Sequence, residues 1–464
     1  MRNKVLLVLL IVSIIPCRAR SADDTFAAMK KLLASKNRRV AVSIRDREGN
    51  EVFNFQGDTL LAPASIAKTV STACSLDVLG PQYQFDTLFL MSGKIQGDTL
   101  EGDLIVQGKG DPGLVIEDMH EVIEKLRFMH GIKKITGNLV FDNSYLGQKS
   151  LSMGEGFEGD EGRSFTAEIT PTAINQNSFS VWVTPDLRET GKTRAVSLPA
   201  GVMDLKLTNK SKVGSSNGVS LNYDVGQMSA TVSGVMTKDA APKGIYRAVD
   251  DAYTYALNIM HRLWVDSGGE WKDPKIKIVT SPLAGTLLWK NQSRPLAKLL
   301  MDVNKFSLNI GAEMIFLAAG GEKYGLPATY DKSLKMLAEC LKEKGIEAGG
   351  LDLTNGSGLS RETRFKVSAL TRFLNNYAGA VYAPEYQSSF GLLGIDGTVK
   401  MRMKNYVGRA RLKTGSLKDV SSIAGYLYSS DHKSYSFAMI QNSIAPSEAK
   451  GLEDQVIEDF LKHH

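Results

Sequence analysis

Three short runs of polar residues in this chain have the types and spacings that acyl transfer needs. Ser65 and Lys68 stand three residues apart behind Pro63, and residues three apart share a helix face. A serine hydroxyl is a weak nucleophile until a base takes its proton. A lysine can be that base when burial or nearby positive charge weakens its hold on its own proton. If Ser65 opens a helix, the first backbone N–H groups point to where an oxyanion would form. Ser307 and Asn309 make the second run: a hydroxyl that can pass a proton to a leaving amine, and an amide that can hold a lysine or a substrate carbonyl. Lys413, Thr414, Gly415 and Ser416 make the third. One cation and two hydroxyls suit a carboxylate, and Gly415 would let a substrate backbone approach the strand closely.

Taken singly, each run is weak. Ser447 and Lys450 repeat the first spacing, and Ser215/Asn217 and Ser220/Asn222 repeat the second in a turn-rich stretch. A lone Lys-Thr-Gly is usually a solvated edge strand. Together they say more: Lys-Thr-Gly occurs once, the three runs fall in one order, and the competing Ser447/Lys450 pair lies after it. That ordered set is the serine acyl-enzyme signature of β-lactamases and penicillin-binding proteins.

Other chemistries have less to build with. The six histidines (His120, His130, His261, His432, His463 and His464) include no His-Glu-x-x-His, so a Ser-His-Asp hydrolase or a zinc peptidase is poorly supplied. Gly108-Lys109-Gly110-Asp111-Pro112-Gly113 fits a dinucleotide fingerprint literally. Pro112 crowds the turn, however, and no series of βα units follows. Gly214-Ser215-Ser216-Asn217-Gly218 fits a nucleophile elbow, but Asn217-Gly218 between alternating runs reads as a hairpin turn. No cofactor and no metal is expected.

The elements that must carry these residues follow from periodicity. A helix is predicted over residues 24–35, and then a hairpin over 40–46 and 51–55 around Glu48-Gly49-Asn50. Another helix follows Ser65 to Leu79. Between residues 82 and 265 short alternating strands dominate, at 87–91, 104–107, 137–141, 178–184 and 203–207, with one helix at 115–129. Helical spacing returns at 253–267, 297–318, 330–344 and 368–377. Two strands, 421–428 and 434–442, and a closing helix over 447–462 end the chain. The pattern predicts one α/β catalytic domain built from residues 23–81 and 266–464, with an insert over 82–265 made of two small strand-rich domains dividing near Glu168.

The 464 residues, 43% hydrophobic and 23% charged, suit a globular chain of about three domains at roughly 150 residues each. Residues 1–22 differ. Arg2 and Lys4 precede an apolar run from Val5 to Val12, which tails off through Ile15 to Pro16 and small residues. The run is short of the ~20 apolar residues a spanning helix needs and reads as a cleaved export signal. A lipoprotein signal through Cys17 is disfavoured by Pro16. Loss of Arg2, Lys4, Arg18 and Arg20 lowers the formal charge from +6 to +2, so nucleic acid is not an expected partner. Of the remaining cysteines, Cys74 and Cys340, the reading expects two separate buried thiols as helix-face fillers.

At these residues the chain resembles a low-molecular-mass class C penicillin-binding protein, a D-alanyl-D-alanine carboxypeptidase/endopeptidase of the serine peptidase S13 type. The likeness spans nearly the whole mature chain. It includes Gly108 to Pro112, Asp142-Asn143-Ser144-Tyr145, Tyr246 to Asp251, Asn355-Gly356-Ser357-Gly358-Leu359-Ser360-Arg361 and Asp396-Gly397-Thr398. Many relatives carry Asp in the middle of the second run, where this chain has Leu308.

The resemblance implies a β-lactamase/DD-peptidase-like α+β catalytic domain, with an antiparallel sheet flanked by helices plus the inserted domains. It implies Ser65 as nucleophile, Lys68 as base, Ser307 and Asn309 as relay and support, and Lys413, Thr414, Gly415 and Ser416 as the carboxylate site. Asp142 would meet the amino group of a stem peptide; its competing reading is a turn-forming Asp. The expected partners are peptidoglycan stem peptides, with β-lactams as covalent inhibitors, in the periplasm or cell envelope. Peripheral membrane association, oligomeric state and the balance of carboxypeptidase over endopeptidase action stay open. Two rivals are a β-lactamase or esterase on the same scaffold and a non-catalytic penicillin-binding wall protein.

Overall fold

The last two long strands are apolar on both faces because both faces are covered. Along Ser434–Asn442, Phe437 and Met439 point one way and Ala438 and Ile440 the other, as the two-residue period of a strand requires. Phe437 and Met439 pack with Met29 and Leu33 of the first helix, Ala22–Ala34, and with Val456, Ile457 and Phe460 of the last, Pro446–His463. Ala438 and Ile440 meet the helices that carry the polar runs. The computed structural model that shows this describes residues 22–34, 39–152 and 162–464; the expected export signal, apart from Ala22, lies outside them.

The sheet has six antiparallel strands in the order Glu51–Phe55, Arg39–Arg45, Ser434–Asn442, Val420–Tyr428, Ala410–Leu417 and Gly391–Leu392. This is the expected antiparallel sheet with helices on both sides. One face is covered by the helices Lys68–Leu79, Leu296–Phe306, Asn309–Tyr324, Tyr330–Glu343 and Val367–Tyr377, around a core that includes Ile66, Val70, Leu300, Phe316, Leu337 and Phe373.

The insert is larger than periodicity indicates. Its main sheet runs Ile276–Val279, Leu139–Asp142, Leu104–Gly108, Asp86–Met91 and Thr286–Gln292, so the chain returns to the catalytic domain after Gln292 and not at residue 266. Strands Ile276–Val279 and Thr286–Gln292 find their partners far away in sequence, which a local hydrophobic period does not reveal. A second group of strands lies between Ser178 and Ala248. One apolar cluster, from Phe89 and Val106 to Val181, Val232 and Trp264, runs through both groups.

The two cysteines correct the sequence expectation. Cys74 and Cys340 form a disulfide, with Cα atoms 5.8 Å apart, inside the range that bridging requires. They sit on the helices Lys68–Leu79 and Tyr330–Glu343. Both are filler in the helix core, as read, but the packing of those helices also places one sulfur on the other. The bridge closes a loop of sequence separation 266. Replacing both cysteines by alanine is expected to lower the unfolding free energy by about 2–5 kcal/mol, read as a lower urea midpoint. An unchanged midpoint would show that the helices need no bridge.

Candidate active site

The turn that carries Ser65 begins with strain. Ala64 has φ 50, a left-handed conformation that costs an L-residue about 1–3 kcal/mol. Its carbonyl is pinned beneath Gly358, where a Cβ would come within 2.2 Å of the Ala64 oxygen. A single 3₁₀ turn, Ala64–Ala67, then leads into the helix Lys68–Leu79. Ser65 keeps 8% of its surface exposed, while Lys68 is fully buried.

The Lys68 amine has three neighbours: Ser65 Oγ at 2.9 Å, Asn309 Oδ1 at 2.7 Å and the Ser357 carbonyl at 2.9 Å. The last two can only accept. A neutral amine satisfies them with its two N–H groups and turns its lone pair to the one neighbour that can donate, the Ser65 hydroxyl. Burial lowers the Lys68 pKa to about 7, against the opposing pull of Glu313. The ordinary value is far higher, so near neutrality a large share of Lys68 is a base.

Ser307 is not inside one long helix, as periodicity over 297–318 suggested. It breaks that run into Leu296–Phe306 and Asn309–Tyr324, with φ 63 at Ser307 itself. The break turns the hydroxyl toward Lys413, whose Nζ donates to Ser307 Oγ at 2.8 Å and to the Thr414 carbonyl at 2.7 Å. Leu308 packs its side chain against the helix core, so an apolar residue suits the middle of this run. Lys413 is fully buried on the strand Ala410–Leu417. Burial holds its pKa well below the usual lysine range, and repulsion from Lys68 lowers it further.

Gly415 closes the arrangement. A Cβ there would lie 2.8 Å from the Ser65 backbone nitrogen, 2.9 Å from the Pro63 carbonyl and 2.4 Å from Ser422 Oγ. The protein's own turn at Ser65 therefore makes a close approach that demands glycine, beside the substrate approach that the sequence reading expected. Ser422 Oγ donates to the same Pro63 carbonyl at 2.6 Å, tying the turn to the sheet. The three runs thus contact one another in a ring: Lys68 to Asn309, Ser307 to Lys413, Gly415 to Ser65.

Thr414 Oγ1 donates to Thr398 Oγ1 at 2.8 Å, and Ser416 is exposed next along the strand. Asp396, two residues before Thr398, pairs with Lys305 at 2.6 Å and accepts from the Leu392 N–H at 2.7 Å. A cavity of about 600 Å³ opens beside Ser307 and Asn309, walled by Phe306 and by Val115, Gln176 and Tyr246 of the insert.

Asp142 stands apart from this ring. It is fully buried, and its carboxylate accepts from Gln107 Nε2 at 2.7 Å, the Leu283 N–H at 2.9 Å and the Ser144 N–H at 2.9 Å. The bond to Ser144 is the turn-forming arrangement. A carboxylate this deep needs internal donors, and these occupy it. Among the described residues no group of three or more His, Cys, Asp or Glu side chains is arranged to hold a metal ion.

The sequence profile of the D-Ala-D-Ala carboxypeptidase 3 (S13) family matches residues 27–461. The chain belongs to that family. D-alanyl-D-alanine carboxypeptidase DacB of Haemophilus influenzae is 28% identical over 403 residues, covering 84% of this chain and 82% of that one. A D-alanyl-D-alanine carboxypeptidase of Actinomadura sp. strain R39 is 26% identical over 414 residues, covering 82% and 73%. The crystal structure of penicillin binding protein 4 from Haemophilus influenzae matches with a TM-score of 0.74 at 26% identity, over 90% of this chain and 93% of that one. This S13 protein is accordingly a serine-type D-alanyl-D-alanine carboxypeptidase by class.

Two features of the S13 site were not identified from sequence. The Ser357 carbonyl lies in a segment that carried the family resemblance, but backbone groups leave no trace in residue type. Glu313 is buried on the helix of Asn309, four residues on. That spacing puts both on one face, and it was the available signal.

Proposed function

We propose that this S13 peptidase cleaves the terminal D-alanyl-D-alanine bond of peptidoglycan stem peptides through an acyl-enzyme on Ser65. Lys68 takes the Ser65 proton as the Ser65 oxygen bonds to the carbonyl carbon of the penultimate D-alanine. Backbone N–H groups of Ser65 and Ser416 hold the oxyanion, each worth up to about 3 kcal/mol. The proton then passes from Lys68 through Ser307 to the departing amine as the C–N bond breaks. Asn309 steadies Lys68 and the substrate amide. Lys413, Thr414 and Ser416 take the terminal carboxylate, which gives Lys413 the counter-charge it lacks in the free site. Water then cleaves the ester and restores Ser65.

The observation that carries this reading is the closed ring of contacts among the three polar runs. Two buried amines, each against a hydroxyl and too close to each other to hold both charges easily, form a device for moving a proton. β-Lactams carry a strained amide and a carboxylate in the same relation, so they acylate Ser65 as well. The basic and apolar character of residues 1–22 and a disulfide, a bond favoured in oxidising compartments, support action outside the cytoplasm. Among the described residues no helix is long and apolar enough to cross a membrane.

The test is to incubate the protein with a pentapeptide ending in D-Ala-D-Ala and, separately, with a fluorescent penicillin. Release of free D-alanine, together with a penicilloyl mass on the peptide containing Ser65, is the expected outcome. An adduct on any other residue would sink the assignment.

A further inference from the structure

We propose that Glu313 is a positioning residue for the Lys68 base: its buried carboxylate fixes the carbonyl that orients the amine and supplies the negative charge facing the ammonium as it forms. The proposal rests on the reading of Lys68 given above and deepens it.

Glu313 is fully buried. Its Oε2 accepts from the Gly356 N–H and its Oε1 from the Ser357 N–H, both at 2.8 Å, and Tyr330 Oη donates to Oε2 at 3.1 Å. The two amides it grips belong to the residues whose carbonyls face the nucleophile helix. Ser357 offers its carbonyl to Lys68 Nζ at 2.9 Å, and Gly356 offers its own to Ser71 Oγ at 2.6 Å. The carboxylate is therefore one peptide removed from the base, and it holds the acceptor that keeps the Lys68 lone pair turned to Ser65. Asn309, one helical turn earlier on the same face, holds the other acceptor.

Charge gives the second half of the argument. The groups facing Glu313 are Lys68 from the nucleophile helix and Tyr330 from the helix Tyr330–Glu343, with Lys413 beyond Lys68; burial raises the Glu313 pKa, and the bonds from Ser357 and Gly356 and the Lys68 charge oppose that rise. All three of Lys68, Lys413 and Glu313 are fully buried. One carboxylate can offset one ammonium, and a second buried cation has no partner and is disfavoured. When Ser65 loses its proton, the O–H bond breaks and an N–H bond forms on Lys68. The new cation then appears opposite the Glu313 charge. A core residue that only filled space would not need three donors and a charge.

The experiment measures the second-order rate of acylation by benzylpenicillin from about pH 5 to 9 for the full chain and Glu313→Gln, since that constant reports the free enzyme's base. The plateau is expected to fall by about 10–100-fold, and the acid limb to move to lower pH by about one unit, because removing a negative charge makes Lys68 easier to deprotonate. A lowered plateau with an unmoved limb would make Glu313 a loop staple only, and a wild-type profile would remove it from the mechanism; either result overturns the proposal. Should Glu313→Gln fail to fold, Glu313→Asp keeps the charge but cannot reach both amides. It is expected to leave the limb in place and lower the plateau about fivefold, and a wild-type plateau would overturn the positioning role. If the wild-type chain takes no adduct on Ser65, the parent reading falls with this one; if it does and Glu313→Gln matches it, this proposal falls alone.

Discussion

Ser65→Ala is expected to take no covalent label from a fluorescent penicillin and to release D-alanine about 10⁵–10⁶-fold more slowly, the scale seen when a serine hydrolase loses its nucleophile. The fold should tolerate the change. Ser65 is small, and Lys68 keeps two of its three partners, the Asn309 side chain and the Ser357 carbonyl. A circular-dichroism spectrum and melting midpoint close to wild type are therefore expected beside the lost activity. Labelled Ser65→Ala, with the label still stoichiometric, would place the nucleophile elsewhere and dissolve the reading of all three polar runs.

Lys68→Met carries the next largest effect. Methionine approximates the length of the lysine stem but can neither accept the Ser65 proton nor donate to Asn309 and Ser357. Loss of a positioned general base costs about 10²–10⁴-fold, so the acylation rate should drop by that factor. The pH profile distinguishes this from simple misfolding. With the Lys68 pKa lowered to about 7, wild-type acylation should fall tenfold per unit below that pH, where the amine is protonated, and flatten above it. The sign follows from the neutral amine being the active form. In Lys68→Met the residual rate should lose this dependence. A limb near pH 7 that survives the substitution would assign the titration to another group.

The chemistry was more legible than the architecture. Ser65 and Lys68 meet because three residues separate them on a helical turn, and no distant residue is needed to bring them together. The strands 421–428 and 434–442 were read almost to the residue, since both run apolar between clear turns. The single helix expected over 297–318 shows where that reasoning ends. Its apolar period continues through Ser307, yet tertiary contacts hold Ser307 left-handed, and the hydroxyl that meets Lys413 stands at the break. The return of the insert at Gln292 was missed for a related reason: Thr286–Gln292 pairs with Asp86–Met91, and a strand's partner is not encoded in its own alternation.

By itself, the sequence determined which chemical groups exist and which neighbours share a turn: a hydroxyl beside an amine, a second hydroxyl beside an amide, a lysine leading two hydroxyls on a strand. Only the tertiary structure decided that these meet, that Cys74 reaches Cys340, that Asp142 spends its carboxylate inside the insert, and that Glu313 lies behind Lys68. The physical reason is one of range. Spacing along a helix or strand is set by local backbone geometry, whereas desolvation, charge coupling and bridging depend on chain segments hundreds of residues apart closing over the same few atoms.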